Sequence, residues 1–157
     1  MIFSDFKQMA QALPKKGKLM ALDVGTKRIG LAISDESRFI ATPKLILNRQ
    51  SNQKDFEKIR QFIAENQIVA ILVGRPIDMD GSLIPMTEFS EKFAKNLDQF
   101  LEKNLPIFLF EERLTSFEAR EINNSALSRK KRSQTKFIDD IAASLILRHF
   151  LEDFCQS

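Results

Sequence analysis

The stretch LMALDVGTKRIGLAISD, residues 19–35, decides the reading of this chain. Two apolar runs flank Gly25-Thr26, a pattern that predicts strand, turn, strand. On the second run Gly30, Ala32 and Ser34 alternate, so one face of that strand is small and open to close approach. Asp23 interrupts the first run between Leu22 and Val24. A buried ionised carboxylate costs several kcal/mol unless it is paired, hydrogen-bonded or bound to a metal. Asp23 therefore needs a partner from elsewhere in the chain, or else caps its own turn by accepting from the amides of Gly25 or Thr26.

Downstream, DFEKIRQFIAEN places Phe56, Ile59 and Ile63 on one helical stripe, and IVAILVG follows as a continuous apolar run suited to a strand covered on both faces. The loop GRPIDMDGS ends that strand, and from about Thr87 a second helix carries Phe89, Phe93, Leu97 and Leu101 at spacings of four. PIFLFEERL predicts a further buried strand. Thr115 and Glu118 have capping-box spacing for another helix, and FIDDIAASLILRHFLEDF predicts the last one. Two strands followed by alternating helices and strands predict an α/β fold with a mixed sheet flanked by helices on both faces. Residues 1–17, with the breaker LPKKGK, read as an N-terminal extension ahead of a single domain over 18–154.

Composition narrows the class. The chain has 157 residues, 43% hydrophobic and 29% charged, which suits one soluble domain, and no apolar run reaches the roughly 20 residues of a membrane span. The first residues lack the pattern of a signal peptide, so the expected location is cytoplasmic. A lone Cys155 forms no internal disulfide, and one histidine with one cysteine excludes a Cys/His zinc site. The net charge of +3 hides an uneven distribution: RKKRSQTK, residues 129–136, holds five basic residues and no acid, leaving the remainder net acidic. Such a block is either a solvated loop or a nucleic-acid contact. The fourteen phenylalanines, with no Trp or Tyr, read as core rather than as a base-stacking platform.

Acids occupy three places where the pattern expects apolar residues: Asp23, Glu111-Glu112 and Asp139. Positions 142, 143, 146 and 150 on the helical line of Asp139 are Ala, Ala, Ile and Phe, whereas Asp140 heads the line Ser144, Arg148, Glu152. Asp139 is therefore the inward member of its pair, although its place in the first helical turn also suits the helix dipole. Carboxylates gathered together raise one another's pKa unless a cation holds them ionised, and an all-oxygen ligand set points to Mg²⁺ or Mn²⁺. Such a cluster can activate water and stabilise the leaving oxygen in phosphodiester cleavage.

The blocks LDVGTKRIGLAISD (22–35), VGRPIDMDGS (73–82), EERLTSFEA (111–119) and FIDDIAASLIL (137–147) resemble, in order, the signature blocks of the YqgF family of pre-16S ribosomal RNA nucleases, also described as Holliday-junction-resolvase-like. The resemblance implies an RNase H-like fold with Asp23, Glu112 and Asp139 as catalytic, metal-binding acids. It also implies a role in processing the 5′ end of precursor 16S RNA. Glu111 stands where the family often has Asp, and strand alternation leaves open whether Glu111 or Glu112 faces the site. Candidate nucleic-acid contacts are Lys27, Arg28, Arg113, Arg129, Lys130, Lys131, Arg132 and Lys136. His149, about 15 Å along the helix from Asp139, reads as a helix-end or packing residue.

The expected partners are structured RNA or branched DNA, with the ribosomal subunit a further candidate and the chain a monomer or homodimer. Four-way DNA junctions are the alternative substrate, and a noncatalytic RNA-binding module is the alternative of another class. A kinase-like ATPase, suggested by Asp-x-Gly-Thr after a strand, is opposed by length, because those folds close two domains around a nucleotide.

Overall fold

The computed structural model describes residues 1–113 and 132–155, and among them six strands form one mixed sheet. In chain order the elements are β1 (Ile2–Phe3), α1 (Phe6–Ala12), β2 (Lys18–Val24), β3 (Arg28–Ser34), β4 (Ala41–Asn48), α2 (Asn52–Asn66), β5 (Ile68–Ile77), α3 (Pro85–Phe100), β6 (Ile107–Arg113) and a long final helix, α4 (Arg132–Cys155). The strand order is β1-β6-β5-β2-β3-β4. β3 is antiparallel to both β2 and β4, whereas β2–β5, β5–β6 and β1–β6 are parallel. The α/β architecture with a mixed sheet is thus the one the sequence predicts. The predicted capping box at Thr115 and Glu118 and the basic residues 129–131 lie outside the described residues.

Side-chain alternation sorts the sheet into two faces. Met20, Leu22 and Val24 of β2, Ile71 and Val73 of β5, and Ile107 and Leu109 of β6 pack with Phe56 and Ile59 of α2 and with Phe93, Ala94 and Leu97 of α3. Leu19 and Ala21, Ala70 and Leu72, and Phe108 form the opposite face, under Met9 of α1 and Ala143, Ile146, Leu147 and Phe150 of α4. Ser51 caps α2 by accepting the Lys54 N–H at 3.3 Å, and Gln67 ends it in the left-handed conformation at φ +55°. Pro85 opens α3 at a position where a missing N–H costs nothing.

Two elements go beyond the sequence expectation. The segment read as an extension is packed onto the sheet: Ile2 and Phe3 pair with Ile107 and Phe108, and Met9 is buried. β4 is an edge strand, exposed at Thr42, Pro43, Lys44 and Asn48, and its edge position accommodates Pro43. Among the described residues no helix is long and apolar enough to cross a membrane.

Candidate functional site

Asp23 lies on β2 two residues beyond Ala21, so its side chain belongs to the α4 face, and it is half-buried there. On β6 the same alternation places Glu112 with Phe108 and Phe110 on the α4 face and Glu111 with Ile107 and Leu109 on the other. Contacts agree with both placements. Arg75 bonds Glu111 at 2.5 Å and Glu91 of α3 at 2.6 Å. The buried Oε1 of Glu112 lies 3.4 Å from Nδ1 of His149 on α4, an ion pair whenever that imidazole is protonated. The question left open between 111 and 112 is answered in orientation: Glu112 shares a face with Asp23.

Between these two acids runs β5, whose residues on this face are Gly74 and Pro76. The strand register pairs Leu22 with Val73 and Val73 with Leu109, so Asp23 is level with Gly74 and Glu112 lies two residues farther along β6. Beside Asp23 β5 carries no side chain, whereas the half-buried Pro76 stands level with Glu112. A Cβ at position 74 would stand 2.6 Å from Cδ1 of Ile146, so glycine is also what lets α4 seat on the sheet. We expect Gly74→Val to destabilise the protein by about 1–3 kcal/mol through overpacking, and Gly74→Ala by less because the Ile146 methyl can swing aside. Denaturant unfolding checks both.

The small face of β3 serves the same seating. Asp23, Ala21 and Leu19 lie beside Gly30, Ala32 and Ser34, and α4 packs over β3 as well as β2. On α4, Ala143, Ile146 and Phe150 are buried, whereas Arg148 and Glu152 form an exposed pair at 3.4 Å. The line predicted to face inward does so at each of these positions. Asp139 stands one turn before Ala143 on that line, two turns or about 10.5 Å before Ile146, and its side chain lies outside the described residues.

The turn after Asp23 is tight. The Gly25 N–H donates to the Arg28 carbonyl at 2.8 Å, and a Cβ on residue 25 would meet that same oxygen at 2.8 Å, so backbone rather than a movable side chain demands glycine. Lys27 is exposed and Arg28 half-buried at this turn, beside the acids. Arg113 ends β6 and Arg132 and Lys136 lie on the first turns of α4, but their side chains, with Arg129, Lys130 and Lys131, lie outside the described residues. The loop after β5 folds back through Asp78–Gly81, with the Gly81 N–H donating to the Asp78 carbonyl at 2.9 Å and Gly81 at φ +85°. Hydrogen bonding from Ser82 holds the Asp80 carboxyl below its ordinary range.

The sequence reading did not foresee the roles of Gly74, Arg75 and His149. Gly74 is signalled only by its position in an otherwise apolar strand, and the partners of Arg75 and His149 are 16 to 37 residues away. Among the described residues no three His, Cys, Asp or Glu side chains gather closely enough to hold a metal; the third expected donor, Asp139, is not among the described side chains.

Comparison with known proteins places this arrangement. A family model described as RuvX, Holliday junction resolvase, matches residues 17–153. A Cereibacter sphaeroides protein named "Putative pre-16S rRNA nuclease" is 40% identical over 97% of this chain and 93% of its own length. One of the same name from Thermoanaerobacter pseudethanolicus is 42% identical over 86% and 96%. Among solved structures, the fowlpox virus Holliday junction resolvase superposes with a TM-score of 0.50 at 15% identity, covering 87% of this chain and 99% of that one. The sheet order with α4 across one face and α2 and α3 across the other is accordingly the RNase H-like fold. With a match over nearly its whole length and relatives this similar, the chain belongs to the RuvX family, and its class of activity is that of a nuclease.

Proposed function

We propose that this chain is a divalent-metal-dependent nuclease that hydrolyses phosphodiester bonds in structured RNA, acting near the 5′ end of precursor 16S ribosomal RNA. The observation that carries this reading is the pair Asp23 and Glu112 on one face of the sheet, near the carboxyl ends of parallel strands, with Gly74 leaving the space beside Asp23 open. Carboxyl ends of parallel strands are where open α/β sheets place their ligand sites. The RNA substrate is supported by the names of the relatives.

The donor set fits a hard cation, since it consists of carboxylate oxygens supplied by two strands and, through Asp139, by the helix laid over them. Asp23, Glu112 and Asp139 would hold Mg²⁺ or Mn²⁺. When bound, such an ion supplies Lewis acidity toward water and toward the departing 3′ oxygen. Lys27 and Arg28 stand beside Asp23 to take phosphate oxygens, and the apolar underside of α4, from Ala143 to Phe150, closes the floor of the site to water. His149 borders Glu112, with its Nδ1 3.4 Å from Oε1.

A second reading, cleavage of four-way DNA junctions, is favoured by the family description. It calls for a symmetric dimer acting on a near-symmetric substrate. One experiment separates the readings: incubate a labelled precursor 16S RNA fragment and a four-way DNA junction with the protein in Mg²⁺, Mn²⁺ or EDTA. Metal-dependent cutting of the RNA supports the first reading, cutting of the junction the second, and intact substrates in every lane overturn both in favour of a binding module.

The two neighbouring acids give a sharper comparison. Glu112→Gln should lower the cleavage rate by about a hundredfold or more, whereas Glu111→Gln, which leaves Arg75 its bond to Glu91, should stay within about twofold. Equal losses in both variants would show that the face assignment does not govern activity.

A further inference from the structure

The end of the sheet opposite the acids carries a surface that the proposed site does not use. Between β3 and β4 the chain turns through Asp35–Ile40, and the tip exposes two large apolar side chains, Phe39 at 79% and Ile40 at 62%. Single exposed apolar residues are ordinary, but this pair is held in a fixed turn. Asp35 Oδ1 accepts the N–H groups of Ile40 and Phe39 at 2.8 Å each, and Oδ2 accepts that of Ser37 at 3.1 Å. These bonds, the Ile40 amide foremost, hold the Asp35 carboxyl below its ordinary range.

Arg38 takes φ +61°, a costly conformation for a residue with a Cβ, and its guanidinium donates to the Pro14 carbonyl at 2.6 Å and the Gly17 carbonyl at 2.9 Å. Those two bonds bracket Lys15 and Lys16, both exposed. Aromatic tip and lysine pair are therefore one rigid unit. Asp35 and Arg38 spend their charges inside it, and Glu36 is the exposed carboxylate on the same turn. The reading of phenylalanines as core, which holds for Phe56, Phe93, Phe108 and Phe150, fails at Phe39.

We propose that this unit is a second nucleic-acid contact, in which Phe39 stacks on an unpaired base and Lys15 and Lys16 take adjacent phosphates. An exposed, preordered aromatic beside paired cations is what sequence-tolerant binding of single strands requires. Placement gives it a purpose. The turn begins at Ser34, which is level with Leu19, and Leu19 is four residues or about 13 Å below Asp23 on β2. A stacked strand reaching both places spans about four base steps at ~3.4 Å per step, and an extended one fewer. The tip would thus select substrates with an unpaired segment extending away from the scissile bond. This inference rests on the nucleic-acid part of the proposed function and not on hydrolysis.

The test is fluorescence anisotropy with a fluorescein-labelled single-stranded RNA of about 20 nucleotides, longer than a single-fold binding site, in EDTA so that nothing is cut. Phe39→Ala should weaken binding about tenfold with an unchanged unfolding temperature, Phe39→Trp should restore it, and Phe39→Leu should not. Lys15→Ala with Lys16→Ala should reduce the slope of log affinity against log salt by about 1.4, at ~0.7 per phosphate on a single strand. Wild-type affinity in Phe39→Ala, or full restoration by leucine, overturns the proposal; the latter would mark the tip as an apolar dock for a protein. If the wild-type protein cuts no substrate in Mg²⁺ or Mn²⁺ and the Phe39 effect persists in EDTA, the hydrolytic reading falls and this contact stands.

Discussion

Asp23→Asn should leave the protein folded and lower its single-turnover cleavage rate by about a thousandfold. Asparagine matches aspartate in shape, and the backbone of residue 23 stays in the ladder opposite Gly30, so the sheet has no reason to change. What is lost is one negative charge in the half-buried space beneath α4. A cation bound there would be held by charge-dense oxygens and would contribute several kcal/mol to the transition state; a loss of ~4 kcal/mol corresponds to the thousandfold drop. Raising Mg²⁺ or Mn²⁺ should recover part of the rate, because the remaining acids still offer weaker sites. The measurement is a metal titration of the rate for wild type and variant, with circular dichroism to confirm folding. An unaltered rate would place the chemistry elsewhere on the molecule, and lost activity with lost folding would be answered by the Glu112→Gln variant.

Much of this arrangement was legible in the sequence, and the parts that were not share a physical cause. Local periodicity exposed β2, β3, β5, β6, α2, α3 and α4, because each carries an apolar pattern long enough to show its period. The helical line through Ala143, Ile146 and Phe150 was read correctly for the same reason. β4 was missed since Pro43 and the exposed Thr42 and Lys44 interrupt its pattern although Leu45 and Leu47 pack on the core, and β1 since two residues show no period at all. The choice between Glu111 and Glu112 needed the partner across the sheet: Arg75 claims the first and His149 the second, and alternation in a strand covered on both faces favours neither. Phe39 was absorbed into a core count because composition cannot tell a buried ring from one at a hairpin tip. Asp23, the pair Glu111-Glu112 and Asp139 stood out as acids in apolar settings, helical period chose Asp139 over Asp140, and only the family resemblance chose Glu112; the fold puts Asp23 and Glu112 on a common face beneath the helix that bears Asp139.

The largest effect on stability should come from Arg49, a residue without catalytic chemistry. Its guanidinium meets Asp55 Oδ2 at 3.2 Å, Asn52 Oδ1 at 2.7 Å and the Gly25 carbonyl at 3.3 Å, and it lies over the rings of Phe89 and Phe93 at 5.3 and 5.4 Å. Its own N–H donates to the Lys27 carbonyl at 2.9 Å. One side chain thus ties the turn after Asp23 to α2 and α3. Asp55 is fully buried, and its other oxygen accepts the Gln50 N–H at 3.1 Å. Arg49→Ala removes the cation and strands that carboxylate, a change that costs about 3–5 kcal/mol when one partner of a buried pair is deleted. For a chain of this size the unfolding temperature should fall by roughly 10 °C. Arg49→Met with Asp55→Leu removes both charges and keeps the volume, so it should recover most of the loss. Stability of the double variant no better than that of Arg49→Ala would mean that the hydrogen bonds to Gly25 and Asn52, rather than the ion pair, hold this corner. The turn would then be the element at stake, and cleavage should fall with it, since Lys27, Arg28 and the approach to Asp23 all depend on where that turn sits.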